Sequence, residues 1–128
     1  MGREAIQPRD VAVPAAPYSP VVVAGDLVFT AGQVGFDAAG HLVSDRIEGQ
    51  TRQVFENLRH CLQAAGCSFE DVVRVGAFLS DLADFETFNA IYREHFSEPF
   101  PVRTTVQAGL APGLLVEVEA VARRSGPT

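Results

Sequence analysis

Only two stretches of this chain carry the apolar period of an α-helix, and that scarcity governs what the remainder can become. In the first, Ile47, Thr51, Val54, Phe55, Leu58, Cys61, Leu62 and Ala65 recur at the i, i+3, i+4, i+7 spacing of an amphipathic helix. Asp45, with Glu48 three residues on, resembles a capping arrangement, and Gly66 is a natural stop. In the second, "DFETFNAIYREHF", Asp84 takes the cap position, and Phe85, Phe88, Tyr92 and Phe96 form one stripe.

The rest reads as strands and turns. "PVVVAGDLVFTAGQVG" predicts two short strands around an Ala24-Gly25-Asp26 turn, and "FDAAGHLV" predicts a further turn. "DVVRVGAFLSD" places Val73, Val75, Ala77 and Leu79 on one face of a strand. "PVRTTVQA" and "LLVEVEAVARR" supply two more strands, joined through "GLAPG". The predicted order is β-β-α-β-α-β-β, an α+β fold in a single domain over residues 1–128, with 1–16 as an N-terminal extension. Two helices cover only one face of such a sheet. The other face carries Leu115, Val121, Val72 and Phe78 among polar residues. A half-apolar, uncovered face calls for a partner, and in a one-domain chain the economical partner is another copy of itself.

Charge and composition exclude other classes. Ten basic against sixteen acidic residues give a formal charge of −6, and no Lys/Arg cluster is interleaved with aromatics. Nucleic-acid binding needs a basic footprint to neutralise phosphates, so it is not expected. No apolar run approaches the length of a membrane span, and "MGREAIQPRDVAVPAAPYSP" lacks the apolar stretch of a secretory signal. A cytoplasmic protein is expected, with Cys61 and Cys67 as reduced thiols. The histidines, His41, His60 and His95, share no ligand spacing, so no metal site is expected.

Strand alternation points Arg103, Thr105 and Gln107 one way, and Val102, Thr104, Val106 and Ala108 the other. In the last strand, Val116, Val118, Ala120 and Ala122 form an apolar face opposite Leu115, Glu117, Glu119 and Val121. With the apolar sets turned toward the helices, Arg103 and Glu119 are expected together on the uncovered face, where a cleft against the next subunit can form. Taken alone, the pair also fits an interface ion pair or two solvated charges. Asn89 lies about 40° from Phe85 around the second helix and alone reads as a helix-edge residue. Tyr18, in "APYSP", alone says little.

In combination these segments are more specific. "APYSP", "LVFTAGQVG", "FNAIYREHF", "PVRTTVQ" and "VEVEAVA", in this order and spacing, closely resemble the Rid/YjgF family, in particular its reactive-intermediate deaminase A branch. The resemblance implies a chorismate-mutase-like domain, one mixed sheet with two helices on one face, assembled as a homotrimer with sites in the clefts between subunits. It implies hydrolysis of 2-imino acids to 2-oxo acids and ammonia without metal or organic cofactor. The family arginine that binds the substrate carboxylate matches Arg103, and the glutamate at the water site is matched to Glu119. The family tyrosine and asparagine match Tyr18 and Asn89. Thr30 falls just before a position where the family often has serine, and the backbone around Ala31 and Gly32 would line the pocket. Thr105 stands where many members have cysteine, a departure that is tolerable if only the backbone carbonyl there is used. The 109–114 loop departs from the usual leucine-proline pattern. Three other readings stay open: a non-catalytic trimer binding 2-oxo or amino acids, a specialised catabolic deaminase for aminoacrylate or aminomuconate, and an RNA-cleaving protein.

Overall fold

The computed structural model describes residues 2–125. Six strands form one mixed sheet: β1 (Glu4–Ile6), β2 (Val21–Ala24), β3 (Leu27–Thr30), β4 (Val72–Leu79), β5 (Val102–Gln107) and β6 (Val116–Arg123). They lie side by side in the order β1-β2-β3-β6-β4-β5. Helices α1 (Ile47–Ala64) and α2 (Phe85–Tyr92) complete the predicted α+β order. Every pairing is antiparallel except β4 with β5, and α2 supplies the crossover that a parallel pair requires. The sixth strand is a correction: within the segment read as an extension, Glu4–Ile6 pairs with Val21–Val23.

The first helix forms as its period predicts, with Ile47, Thr51, Val54, Phe55, Leu58, Cys61 and Leu62 all buried. Its cap differs. The helix begins at Ile47 behind Arg46, which takes the cap position without a side-chain cap bond, so Asp45 lies one residue before the cap; Ser44 Oγ accepts from the Arg46 N–H at 3.0 Å in the turn ahead of it. Gly66 ends the helix as expected, at φ +80°, where a side chain would be strained, and Cys67 N–H reaches back to the Leu62 carbonyl at 2.8 Å. Cys61 and Cys67 are free and buried, and burial pushes the Cys61 thiol up to about 12.

The second helix is shorter than its aromatic stripe. It stops at Tyr92, and the chain tightens through i→i+3 bonds, Glu94 N–H to Ile91 O and His95 N–H to Tyr92 O, both at 3.0 Å. Phe96 still packs, its ring stacked on Tyr92 at 4.5 Å. Asp84 precedes the helix but caps nothing, whereas Asp81 Oδ1 accepts from Ala83 N–H at 2.9 Å in the turn before it. Phe55 of α1 sits at the centre of the aromatic cluster, with Phe69, Phe88, Tyr92 and Phe96 within 6.3 Å of its ring centre.

One sheet face lies against the helices: Val21, Val23, Val28, Val75, Ala77, Leu79, Val116, Val118, Ala120 and Ala122 are buried there. At the head of β4 the register slips between Val72 and Arg74. That bulge turns Val72 into the core and leaves Val73 exposed, the reverse of simple alternation. The opposite face leaves apolar side chains open, with Phe29 and Val106 40% and Val102 68% exposed. Among the described residues no helix is long and apolar enough to cross a membrane.

Candidate active site

Arg103 is on the helix side of the sheet, not on the open face. In the parallel pairing it stands opposite Val75, a core residue, while Thr104 stands opposite Gly76 and so shares the side of Glu119. The expectation that Arg103 and Glu119 share a face is therefore overturned. Edge position explains the exception: β5 is the last strand, so its helix-facing side chains meet the rim of α2 rather than the middle of the core. There the Arg103 guanidinium carbon lies 4.6 Å from the Tyr92 ring centre, 5.5 Å from Phe88 and 5.7 Å from Phe85. All three distances are within cation–π range, so the rings hold the guanidinium in place. Among the described residues Arg103 belongs to no ion pair.

Asn89 and Arg103 line one hollow of about 210 Å³ together with Tyr92, Arg93, Phe100 and Pro101. Thr105 follows on the same face of β5. Three polar atoms here are buried without a hydrogen-bond partner among the described residues: Asn89 Oδ1, Tyr92 Oη and Thr105 Oγ1. Thr51 Oγ1 and His60 Nδ1 are also buried without a partner among the described residues, away from this hollow, so the group here that is open to a ligand is the unpaired Arg103 guanidinium.

Tyr18, Ala31 and Gly32 meet elsewhere, in a cleft of about 420 Å³ with Val34, Phe36, Leu114 and Glu117. Thr30 does not open into it. Its hydroxyl accepts the Ala120 N–H at 3.1 Å, bridging β3 and β6 where their ladder is interrupted, and it is buried. The carboxylate in this cleft is that of Glu117, packed so closely against Gly32 that a β-carbon there would overlap it. Burial pushes the Glu117 carboxyl above the ordinary glutamate range, and the Glu119 charge adds to the rise. Glu119 is turned instead toward β4, where its Oε2 lies 3.4 Å from Arg74 Nη1. Glu117 thus takes the place expected of Glu119. The two alternate onto one face of "VEVEA", and nothing within that pattern ranks them; only the nearness of Gly32 does.

The predicted residues accordingly fall into two half-sites. Arg103, Asn89 and Thr105 lie on the helix side, whereas Tyr18, Ala31 and Gly32 join Glu117 near the open face. Tyr92, the one tyrosine in a phenylalanine stripe, lines the Arg103 hollow, and Glu117 lines the Gly32 cleft; strand and helix periodicity alone single out neither.

The family model described as Endoribonuclease L-PSP matches residues 9–124. The human 2-iminobutanoate/2-iminopropanoate deaminase is 40% identical over 108 residues, covering 83% of this chain and 79% of that protein. The crystal structure of RidA from the Antarctic bacterium Psychrobacter sp. superposes with a TM-score of 0.89 at 36% identity, covering 94% of this chain and 98% of that one. Escherichia coli TdcF, solved with bound serine, superposes with a TM-score of 0.88 at 32% identity, over 95% of this chain and 99% of the other.

Proposed function

The chain belongs to the Rid/YjgF family, and from that membership we propose that it hydrolyses 2-imino acids, the tautomers of 2-aminoacrylate and its homologues, to 2-oxo acids and ammonia. The observation that carries this reading is Arg103: a guanidinium without an ion-pair partner among the described residues, held by three rings at the rim of a hollow. A planar fork so fixed suits a carboxylate, which it grips with two parallel hydrogen bonds. Serine, bound by the E. coli relative, presents the same carboxylate beside a nitrogen.

The second group is Glu117. Ionised, it accepts a proton from water as the oxygen attacks the carbon of the protonated imine, giving a neutral carbinolamine. Protonated, it returns that proton to the nitrogen; as the C–N bond breaks and ammonia departs, the carbinolamine hydroxyl gives its own proton to the Glu117 carboxylate and the C=O bond forms, and that proton leaves with ammonia as ammonium. A carboxyl raised above its ordinary range is better matched to both halves of this cycle. Imines of this kind hydrolyse in water unaided, so positioning and one acid–base group suffice; each tenfold acceleration is about 1.4 kcal/mol.

Arg103 and Glu117 project from opposite faces of one sheet, so a single small substrate cannot touch both within one chain. The reading therefore takes the Arg103 half-site from one copy and the Glu117 half-site from a second, in clefts of a homotrimer closed over the open faces. Ribonuclease action, named in the family description, would need a basic surface, and the chain carries a formal charge of −6.

The test is ammonia release from imines generated enzymatically from several parent amino acids, with Arg103→Lys beside the wild type. Lysine keeps the charge and loses the fork, so turnover falls ~10²-fold and 2-oxobutanoate no longer raises Tm. Full activity with a weakened assembly would reduce Arg103 to a structural cation. Thermal protection without faster ammonia release would make the protein a binding module.

A further inference from the structure

The hollow beside Arg103 holds a second cation. Five of the chain's ten basic residues, all ten of them arginine, sit against carboxylates: Arg46, Arg52, Arg59, Arg74 and Arg123. Arg93 and Arg103 belong to no ion pair among the described residues, and both line this one hollow of about 210 Å³. The chain has sixteen acidic residues, yet none of them is in the lining. Arg93 follows α2 directly, one turn past Asn89, and its N–H donates to the Asn89 carbonyl at 3.0 Å. The next residue, Glu94, is taken by Arg52, whose guanidinium donates to its two oxygens at 2.6 and 3.3 Å. Arg103 is half-buried under rings, whereas the Arg93 side chain is exposed and open to a ligand. A hollow lined by one sign of charge concentrates the opposite sign, and two unmatched guanidinium groups favour a ligand with two negative charges over a ligand with one.

We propose that Arg93 is a specificity-determining residue that receives a second carboxylate, carried on the substrate's side chain, so that the preferred substrates are 2-imino dicarboxylates such as the imines of aspartate and glutamate. Arg103 grips the carboxylate beside the C=N carbon, and Arg93 neutralises the one at the far end. The two settings suit the two tasks. The fork held by rings fixes direction next to the reacting carbon, while the arginine on a free stem meets a group whose distance varies with side-chain length. Arg93 does not touch the C=N carbon, so the hydrolysis itself is the one described above, with 2-oxoglutarate and ammonium as products from the imine of glutamate. In a chain of formal charge −6, which repels dianions at long range, this hollow reverses the sign locally. The inference rests on the reading of Arg103 as the carboxylate anchor and names the substrate class of that same site.

The experiment compares imines generated enzymatically from glutamate and from 2-aminobutanoate, and the stable acids 2-oxoglutarate and 2-oxobutanoate, on the full chain, Arg93→Gln and Arg93→Glu. In the wild type, 2-oxoglutarate should raise Tm at lower concentration than 2-oxobutanoate. The glutamate-derived imine should have the higher kcat/KM, and both preferences should shrink with added salt. Arg93→Gln should lower the ratio of kcat/KM between the two imines about fivefold, the upper end for an exposed ion pair. Arg93→Glu turns attraction into repulsion and should lower it ~10-fold or more. An arginine that serves only the C-terminal end of α2, where the helix dipole favours a cation, gives a lower Tm in both variants with the ratio unmoved. That result overturns the proposal, as does a wild type with no preference for the dicarboxylates. Arg103→Lys run in parallel keeps the two readings apart. If lysine there abolishes protection by both acids while Arg93→Gln leaves the ratio unmoved, the anchor stands and Arg93 is wrong. If lysine keeps turnover and protection, the anchor is wrong and this inference falls with it.

Discussion

Glu117 and Glu119 stand two residues apart on the same face of β6, yet they are different acids. Glu119 meets Arg74, whereas Glu117 is pressed against Gly32 and raised above the ordinary glutamate value of 4.5 by burial first and by Glu119 second. As a base Glu117 works only when ionised, so the acid limb of kcat/KM should lie above pH 4.5. Glu119→Gln removes one cause of the rise and should move that limb to lower pH, with turnover largely kept. Glu117→Gln should lower turnover ~10²-fold. A hundredfold loss in Glu119→Gln with none in Glu117→Gln would exchange the two roles. Stability moves the other way. A carboxyl whose folded pKa is raised costs stability once ionised, so Glu117→Gln should raise Tm at neutral pH, and that advantage should vanish as pH falls back through the raised value toward 4.5. Gly32→Ala tests the same contact: the clash is with a flexible side-chain end, so the fold survives, but the carboxylate is displaced and turnover should fall with it.

At the scale of elements, one helical residue organises the loop that leads into β6. Gln50 of α1 is fully buried; its amide donates to the Ser44 carbonyl at 3.0 Å and to the Gly113 carbonyl at 2.8 Å, and its oxygen accepts from Leu115 N–H at 2.9 Å. Together with the turn closed by Leu114 N–H on Ala111 O at 3.0 Å, this ties residues 111–115 to the helix and fixes Leu115, two residues before Glu117, where the chain enters β6. Gln50→Leu keeps the volume and strands three backbone groups, a loss of about 2–4 kcal/mol, read as a Tm lower by roughly 10 °C. A Tm within two or so degrees of wild type would mean that water replaces the side chain at no cost. Position 50 sits in the helical pattern as a polar residue on the apolar stripe, and that is its only signal in the sequence; one of its partners, Ser44, lies just before the helix, and the other two, Gly113 and Leu115, come from one distant segment.

For the whole molecule the open sheet face decides. Val102, Val106, Phe29 and Leu27 lie exposed on it beside Glu117 and Glu119, more apolar surface than a lone acidic domain leaves to water. The native mass in solution should be three times the 13.7 kDa chain. Val106→Asp, placed on this face in the cross-strand row of Phe78 and Glu117, should yield folded single chains without deaminase activity. A monomeric variant with full turnover would show that one chain contains the whole site.

Periodicity by itself determined the elements: the helical stripe from Ile47 to Leu62, the alternation of Val116 to Ala122, and the stop at Gly66 all follow from local geometry that any such residues obey. It also determined which residues within a strand move together. It could not determine which set faces the helices. In β5 the more apolar set, Val102, Thr104 and Val106, points away from them, because the strand lies at the sheet edge in parallel register with β4 and its other side reaches the aromatic rim of α2. One residue of register exchanges the two faces of a strand, and β4 itself slips by one at Val73. Side choice is thus a property of pairing and packing between distant segments, and only the tertiary structure separates Arg103 from Glu117 and brings Glu117, rather than Glu119, against Gly32.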